Sequence, residues 1–193
     1  KDLLGTFHTD FRTSGAGRTK NVTTGCSKVN GTVLYPGDEF KLSPTISPFT
    51  QENGYELAGS YENGTVVESF GGGICQVATT LYNAVILAEL EITMRYNHSM
   101  QVSYVPPSMD AAIAGDYKDL RFKNNTNAPI YIEGYCNNKI IYFNIYGEET
   151  REAGRTISFE SEVLSEEEME LEFKKDETLD VGYWNVDQSA HIG

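Results

Sequence analysis

The chain has 193 residues, a formal net charge of −13 and a mean hydropathy of −0.39. This length suits one domain with a real core, and the strongly acidic balance argues against nucleic acid as a partner. No run of about 18 apolar residues occurs, so we expect no membrane span within the sequence.

The N-terminal part predicts short elements followed by a long loop. LLGTFHTDFRT alternates like a strand, and RTKNVTTGCSKVNGT has Val22, Cys26 and Val29 at helical spacing. Gly31 stands where a helix would stop. VLYPGDEFKL predicts two strands around a Pro-Gly turn. Residues 43–64 predict a long loop with a helical turn near QENGYE, and such loops often bind ligands or act as lids.

The clearest predicted element is a helix that follows the strand TVVESF, within ESFGGGICQVATTLYNAVILAEL. Its apolar residues recur at intervals of three and four and form one stripe. The stripe consists of Ile74, Val77, Ala78, Leu81, Val85 and Ala88. The next predicted strand is EITMRYN, and the prolines of YVPP favour an extended path after it.

The rest of the chain predicts β-structure. LRFKNNT and PIYIEGYC are predicted strands, and the NN at 137–138 is predicted to turn the chain into the strand KIIYFNIYG. TISFESEVL and MELEFKKD predict two further strands. The order predicts an α+β fold, with a mixed, mainly antiparallel sheet packed around one central helix that begins at residues 73–75. We expect one domain over 1–150, continued by an acidic, β-rich extension over 151–193.

The three cysteines, Cys26, Cys75 and Cys136, are far apart and form no CxxC pair. This spacing predicts no metal site, and at most one disulfide can form. No cofactor is predicted, because GGGICQ lacks both the GxGxxG spacing and a following GK[ST]. The acid-rich segment at 160–177 lacks calcium-loop spacing and predicts a solvated face.

Two interpretations of Cys75 remain open from the residues alone. A cysteine on an apolar helix can be a small buried core residue. A cysteine in the first helical turn also lies beside unpaired N–H groups and the positive end of the helix dipole, which favour the reactive thiolate. Gly72 and Gly73 would let a substrate approach closely and could donate backbone N–H groups to an oxyanion.

A nucleophilic cysteine needs a base, and His98 is the histidine that the predicted geometry favours. A helix of about 15 residues is about 22 Å long, and the returning strand EITMRYN covers roughly the same distance. An antiparallel return would therefore bring His98 level with Cys75. The alternative is a loop histidine at the end of a strand. Asp110, in PPSMDAAI, is the nearest carboxylate that could orient the imidazole.

GGGICQVATTLYNAVILAELEITMRYNHSMQVSYVPPSMDAAI, followed by DLRFKNNTNAPIYI, resembles the core of the VanW family. RTKNV and NGTVLYPGDEFKLSPTISPFTQENGY also resemble that family, so the resemblance covers residues 5–150. Ala78 departs from the family, which often has serine there. The resemblance implies a bacterial L,D-transpeptidase. Its cysteine attacks the carbonyl between the third and fourth residues of a peptidoglycan stem, D-Ala leaves, and a neighbouring stem's amine resolves the thioester into a 3→3 cross-link.

The resemblance also implies roles for single residues. Cys75 would be the nucleophile, His98 the general base, and Gly72 and Gly73 the backbone donors. The candidates for substrate binding are Arg18, Asn21, Tyr82 and Tyr104, with structural support as the alternative for Arg18 and Asn21. The competing functions are a cysteine peptidase or L,D-carboxypeptidase that hydrolyses stem peptides, and a non-catalytic peptidoglycan-binding module.

The same resemblance implies a location in the cell envelope, outside the cytoplasm. Because the chain begins at Lys1 rather than at a methionine, we interpret it as an excised fragment. We expect a membrane anchor or peptidoglycan-binding modules upstream of it.

Overall fold

The computed structural model describes residues 1–62, 65–115, 117–165, 173–175 and 177–185. The elements in chain order are β1 (Asp2–Asp10), α1 (Ala16–Val29), β2 (Thr32–Leu34), β3 (Glu39–Lys41), α2 (Leu42–Ile46), a single 3-10 turn (Gln51–Asn53), β4 (Leu57–Glu62), β5 (Thr65–Phe70), α3 (Cys75–Leu87), β6 (Glu91–Met94), β7 (Arg121–Lys123), β8 (Ile130–Asn137) and β9 (Ile140–Gly147). This mixture of helices and antiparallel strands confirms the predicted α+β class.

The strands form three antiparallel sheets. The largest has the order β1-β9-β8-β2, a second has the order β3-β7-β6, and β4 pairs with β5. Helix α3 packs on β1 and β9, and α1 packs on β8. Both helices therefore cover the same face of the four-stranded sheet, and α3 occupies the central position that the sequence predicts.

The hydrophobic core lies between this sheet face and the two helices. Residues alternate between buried and partly exposed along β9, as expected for a strand with one covered face. The strand and helix residues that meet in this layer include Val22, Cys26, Val29, Val77, Leu81, Val85, Ile132, Ile141, Phe143 and Ile145. Burial of this apolar surface is the main force that holds α1 and α3 against the sheet.

Several local predictions are confirmed with shifted details. The predicted loop over residues 43–64 contains the expected helical turn, but α2 and β4 also lie within it. The turn between β8 and β9 uses Asn138 and Lys139, one residue later than predicted, and both have positive φ. Positive φ at both central residues is the geometry that two-residue hairpins require.

The prediction of a strand at TISFESEVL is wrong. Residues 156–164 have no regular secondary structure, and nearly all of them are exposed. A strand needs a neighbouring edge to pair its backbone groups, and no sheet edge of the described chain meets this segment. The predicted strand MELEFKKD lies largely outside the described residues. No helix in the described part of the chain is long and apolar enough to cross a membrane.

One close contact between β1 and α3 generates a stability prediction. A Cβ added at Gly5 would lie within 2.5 Å of the amide nitrogen of Ala88 and closer still to the carbonyl oxygen of Ala84. We expect Gly5→Ala to lower the free energy of unfolding by about 1–3 kcal/mol, because strand and helix must move apart. Urea denaturation measures the change.

The matched control for this substitution is Gly15→Ala. Gly15 has an ordinary extended backbone conformation, and no atom lies within 4 Å of an added Cβ. Its loss of stability should stay below about 1 kcal/mol. Equal effects of the two substitutions would show that the contact of Gly5 with α3 is not what limits side-chain size there.

Candidate active site

Cys75 lies where a tight glycine turn passes into α3. The turn spans residues 71–74 between the end of β5 and the first residue of the helix. Gly73 has a φ of +97°, and an added Cβ there would come within 2.6 Å of the Arg18 side chain. The turn therefore requires glycine for both conformation and space. The partly buried Cys75 thiol points towards the carbonyl oxygen of Ile113, at 3.5 Å.

The structure places His98 and Asp110 beside each other. His98 Nδ1 lies 2.6 Å from Asp110 Oδ2, and the His98 backbone N–H donates to the same oxygen. The two side chains are only 10% and 9% exposed. Asp110 thus holds the imidazole by its ring nitrogen and by its backbone, which leaves Nε2 as the nitrogen that faces the rest of the site.

The same imidazole also interacts with the Cys75 side chain. Burial opposes protonation of His98, but its interactions with Asp110 and Cys75 outweigh it and raise its pKa to about 9. Burial also opposes ionisation of Asp110, yet the bonds from His98 hold the pKa of that carboxyl below its usual value. The structure therefore brings Cys75, His98 and Asp110 together as a connected chain of three groups.

The path from Cys75 to His98 differs from the predicted one. Strand β6 has four residues and ends at Met94, so the predicted strand over EITMRYN is too long. His98 reaches Cys75 through the irregular segment after β6, and Asp110 fixes its position. The predicted closeness is present, although a continuous strand does not produce it.

Arg95 holds the other side of Asp110, and sequence reasoning missed it. Its Nη2 donates to Asp110 Oδ1 at 3.1 Å and to the carbonyl oxygen of Ser108, and its Nε donates to the Asp110 carbonyl oxygen. The guanidinium lies over the ring of Tyr82, 5.2 Å from its centroid. Tyr82, a predicted substrate-binding residue, therefore supports the Arg95–Asp110 pair in the structure.

Two buried polar residues of α3 also escaped the sequence reasoning. Thr79 Oγ1 accepts from the backbone N–H of Ala111 and donates to its carbonyl oxygen. Asn83 Nδ2 donates to the carbonyl oxygen of Met109. Cys75, Thr79 and Asn83 follow one another at intervals of four residues, so they lie on the same side of the helix. This polar line along an otherwise apolar helix was the signal that could have identified them.

Tyr104 lies beside the same site, and its role in substrate binding stays a prediction. Its hydroxyl lies near the Thr79 side chain, and its titration also responds to Cys75, Arg18 and Asp110. Burial is the main cause that raises the pKa of this phenol. The phenol therefore remains a neutral hydrogen-bonding group near the thiol at neutral pH.

Arg18 reaches the site from α1. Its Nη2 donates to Gln76 Oε1 and its Nη1 donates to Ser14 Oγ, each at 2.7 Å. Gln76 is buried and donates in turn to Thr9 Oγ1 and to the carbonyl oxygen of Asp10. This network holds the Arg18 cation next to the residue that follows Cys75 in the chain.

Asn21 has a structural role in this geometry. Its side chain is fully buried, and its Nδ2 donates to the carbonyl oxygens of Glu56 and Gly72. Its Oδ1 accepts from the backbone N–H of Glu56. The polar atoms of its side chain therefore hold the glycine turn to the segment before β4, a structural role that the sequence analysis gave as the alternative to substrate binding.

The backbone donors at the turn differ from the prediction in one position. The Gly72 N–H donates to the carbonyl oxygen of Ser69, so it is not available to a substrate. Within the described part of the chain, no acceptor is seen for the backbone N–H of Gly73 or of Cys75. These two groups lie beside the thiol at the start of α3, where an oxyanion could be stabilised.

The site consists of the Cys75 thiol beside a histidine that a carboxylate holds in place. Among the described residues, no group of three or more His, Cys, Asp and Glu side chains is placed to hold a metal ion.

The family described as VanW like protein matches residues 17–146, which is more than half of the chain. The chain belongs to the VanW family.

Two curated relatives support this membership. The Bacillus subtilis (strain 168) protein named "Uncharacterized protein YoaR" is 38% identical over 129 residues, covering 67% of this chain and 43% of that protein. The Enterococcus faecalis (strain ATCC 700802 / V583) protein named "Vancomycin B-type resistance protein VanW" is 25% identical over 117 residues, covering 58% of this chain and 42% of that protein. The chain thus spans less than half the length of these relatives. No solved structure matches it significantly.

The raised pKa of His98 in this VanW domain makes stability depend on pH. The folded protein holds the His98 proton more tightly than the unfolded chain, in which the pKa is near 6.5. The stabilisation is therefore complete below pH 6.5 and is lost as the pH rises through about 9. We expect a loss of up to about 3 kcal/mol over this window.

Urea denaturation at intervals between pH 6 and 9.5, with His98→Gln as the reference, measures this contribution. The difference in unfolding free energy between wild type and variant should shrink as the pH rises. Asp110→Asn should lower the pKa of His98 and move the change to lower pH. A difference that does not vary with pH would contradict the described contacts of His98.

Proposed function

We propose that this VanW domain is a peptidoglycan L,D-transpeptidase that uses Cys75 as its nucleophile. The observation that carries the proposal is the linked arrangement of Cys75 at the start of α3, His98 on its thiol and Asp110 on the imidazole. A nucleophile, a base and an orienting carboxylate in this order suit acyl transfer through a covalent intermediate. The name of the Enterococcus faecalis relative connects that protein with vancomycin resistance, which supports a cell-wall substrate.

In the first half-reaction, Cys75 Sγ attacks the carbonyl carbon that joins the third and fourth residues of a stem peptide. The thiol proton already resides on His98 Nε2 before the attack, because the raised pKa of His98 favours the imidazolium and Nδ1 is bonded to Asp110, so Cys75 attacks as the thiolate. The bond to D-Ala then breaks, and His98 gives its proton to the leaving amine. The products are a thioester on Cys75 and free D-Ala.

In the second half-reaction, the amine of a neighbouring stem's diamino acid attacks the thioester carbon. His98 takes a proton from this amine and returns one to the departing Cys75 sulfur. The product is a 3→3 cross-link. If water attacks instead, the same residues release a tripeptide and the enzyme is an L,D-carboxypeptidase.

Two features of the site suit this chemistry. The raised pKa of His98 keeps the imidazolium available at neutral pH to protonate the leaving amine. The N–H groups of Gly73 and Cys75 are the proposed donors to the oxyanion of each tetrahedral intermediate, since Gly72 is occupied. No step requires a cofactor.

Arg18 is the proposed binding residue for the substrate. The network with Gln76 and Ser14 holds its positive charge beside the nucleophile, where a stem peptide would present the carboxylate of its terminal D-Ala. Stem peptides are found outside the cytoplasm, so we also propose an extracytoplasmic location. A membrane anchor or peptidoglycan-binding modules in the full-length protein would hold the domain near this substrate.

The direct test is product analysis with a disaccharide tetrapeptide. Mass spectrometry should detect a dimer that lacks one D-Ala, and a rapidly quenched reaction should contain an acyl adduct on Cys75. Cys75→Ala should reduce turnover by roughly 10³-fold or more, because it removes the covalent route. The matched control is Cys136→Ala under reducing conditions, which changes a distant thiol and should retain turnover.

The possible products separate the alternatives. A tripeptide without dimer would favour the carboxypeptidase. Turnover that persists in Cys75→Ala would remove Cys75 from the mechanism. Binding of the tetrapeptide without any turnover by the wild type would favour a non-catalytic binding module.

A second experiment tests the role of Arg18. We expect Arg18→Gln to raise KM for the tetrapeptide by roughly 10-fold or more, because a charge-assisted hydrogen bond to the D-Ala carboxylate is lost. Lys20→Gln is the matched control, since Lys20 is an exposed cation on the same helix. KM is measured by steady-state kinetics and Tm by thermal melts, for the wild type and for both variants. A lower Tm with unchanged KM would show that Arg18 has only a structural role.

A further inference from the structure

The other two cysteines of the chain lie together on the side of the sheet that faces α1. Cys26 is on the buried face of α1 and is only 1% exposed. Cys136 is on β8, where it is partly buried and packs against the core. The Cys136 thiol interacts with the Cys26 thiol and lies near Thr23, which is one turn earlier on α1.

Gly134 provides the space for this contact. It lies two residues before Cys136 on β8, so both positions point to the same face of the strand. A Cβ added at Gly134 would lie 3.2 Å from Cys26 Sγ. The absence of a side chain at Gly134 thus lets the Cys26 sulfur approach the strand at the level of Cys136.

We propose that Cys26 and Cys136 form a structural disulfide that links α1 to β8. Both are free thiols in the structure, so the bond requires an oxidant. The oxidant is a disulfide of the general form R–S–S–R, either a small molecule such as oxidised glutathione or a protein disulfide. This inference is independent of the function proposed for Cys75.

The exchange proceeds in two balanced steps. Cys136 is the more exposed thiol, and its contact with Cys26 lowers its pKa while the same contact raises the pKa of Cys26. The Cys136 thiolate therefore attacks the oxidant, forms a mixed disulfide and releases one RS⁻. Cys26 then loses its proton, attacks the Cys136 sulfur and releases the second RS⁻. Two thiols become one disulfide, and one R–S–S–R is reduced to two R–SH.

The bond would have two consequences for the protein. It would close a long loop between α1 and β8, which reduces the freedom of the unfolded chain. It would also leave Cys75 as the single free thiol among the three cysteines of the sequence.

The test is a thiol count on the intact chain after equilibration with oxidised glutathione. Residual thiols are alkylated with N-ethylmaleimide under denaturing conditions, and the digest is examined by mass spectrometry. We expect one alkylated cysteine, Cys75, and a linked peptide pair that contains Cys26 and Cys136. In Cys75→Ala the disulfide should persist with no alkylated thiol, and in Cys136→Ala both remaining thiols should be alkylated.

Thermal melts of oxidised and reduced protein provide the second measurement. The oxidised wild type and oxidised Cys75→Ala should melt roughly 5–15 °C higher than their reduced forms. Cys136→Ala should show no such shift. Three alkylated thiols in the oxidised wild type, a disulfide that includes Cys75, or a linked pair without a gain in Tm would overturn the proposal.

Discussion

The constraint on which the site depends is the burial of α3. This helix is buried on most of its surface, so its polar side chains must find hydrogen-bond partners inside the protein. Thr79 and Asn83 find theirs in the backbone that carries Asp110, and Gln76 finds its partners in the end of β1 and in Arg18. The buried polar side chains of α3 need hydrogen-bond partners, and these partners come from three separate parts of the chain that are thereby held around Cys75.

Asp110 connects these buried contacts of α3 to His98. Asp110 lies next to Ala111, whose backbone is hydrogen-bonded to Thr79. The position of the Asp110 carboxylate therefore does not depend on its contact with His98 alone. Arg95 completes the shell, because it neutralises the carboxylate oxygen that His98 does not use. His98 thus obtains its position from a chain of buried contacts that begins on the helix of Cys75. Such support would keep a catalytic group in a fixed orientation, as the proposed function requires.

The sequence predicted elements with a regular residue pattern better than features that depend on tertiary contacts. The apolar stripe of α3 and the alternation of β9 appear directly as residue spacing, so these elements were predictable. TISFESEVL also has a strand-like composition, but strand formation depends on an available edge that composition does not report. The hydrogen bond of Gly72 was likewise inaccessible, and the sequence left two alternatives open for Asn21, since both depend on which backbone groups lie across from them.

By itself, the sequence determined the helix that begins at a glycine turn with Cys75 in its first turn, because local propensity and spacing suffice for that. It also singled out His98 as the histidine near Cys75, although the continuous return strand on which that prediction relied is not present. Only the tertiary structure decided that Asp110 orients His98, that Arg95 secures Asp110 and that Tyr82 lies behind them. Those contacts join residues that the chain separates by ten or more positions, and only the packing of the irregular segment after β6 on α3 brings them together.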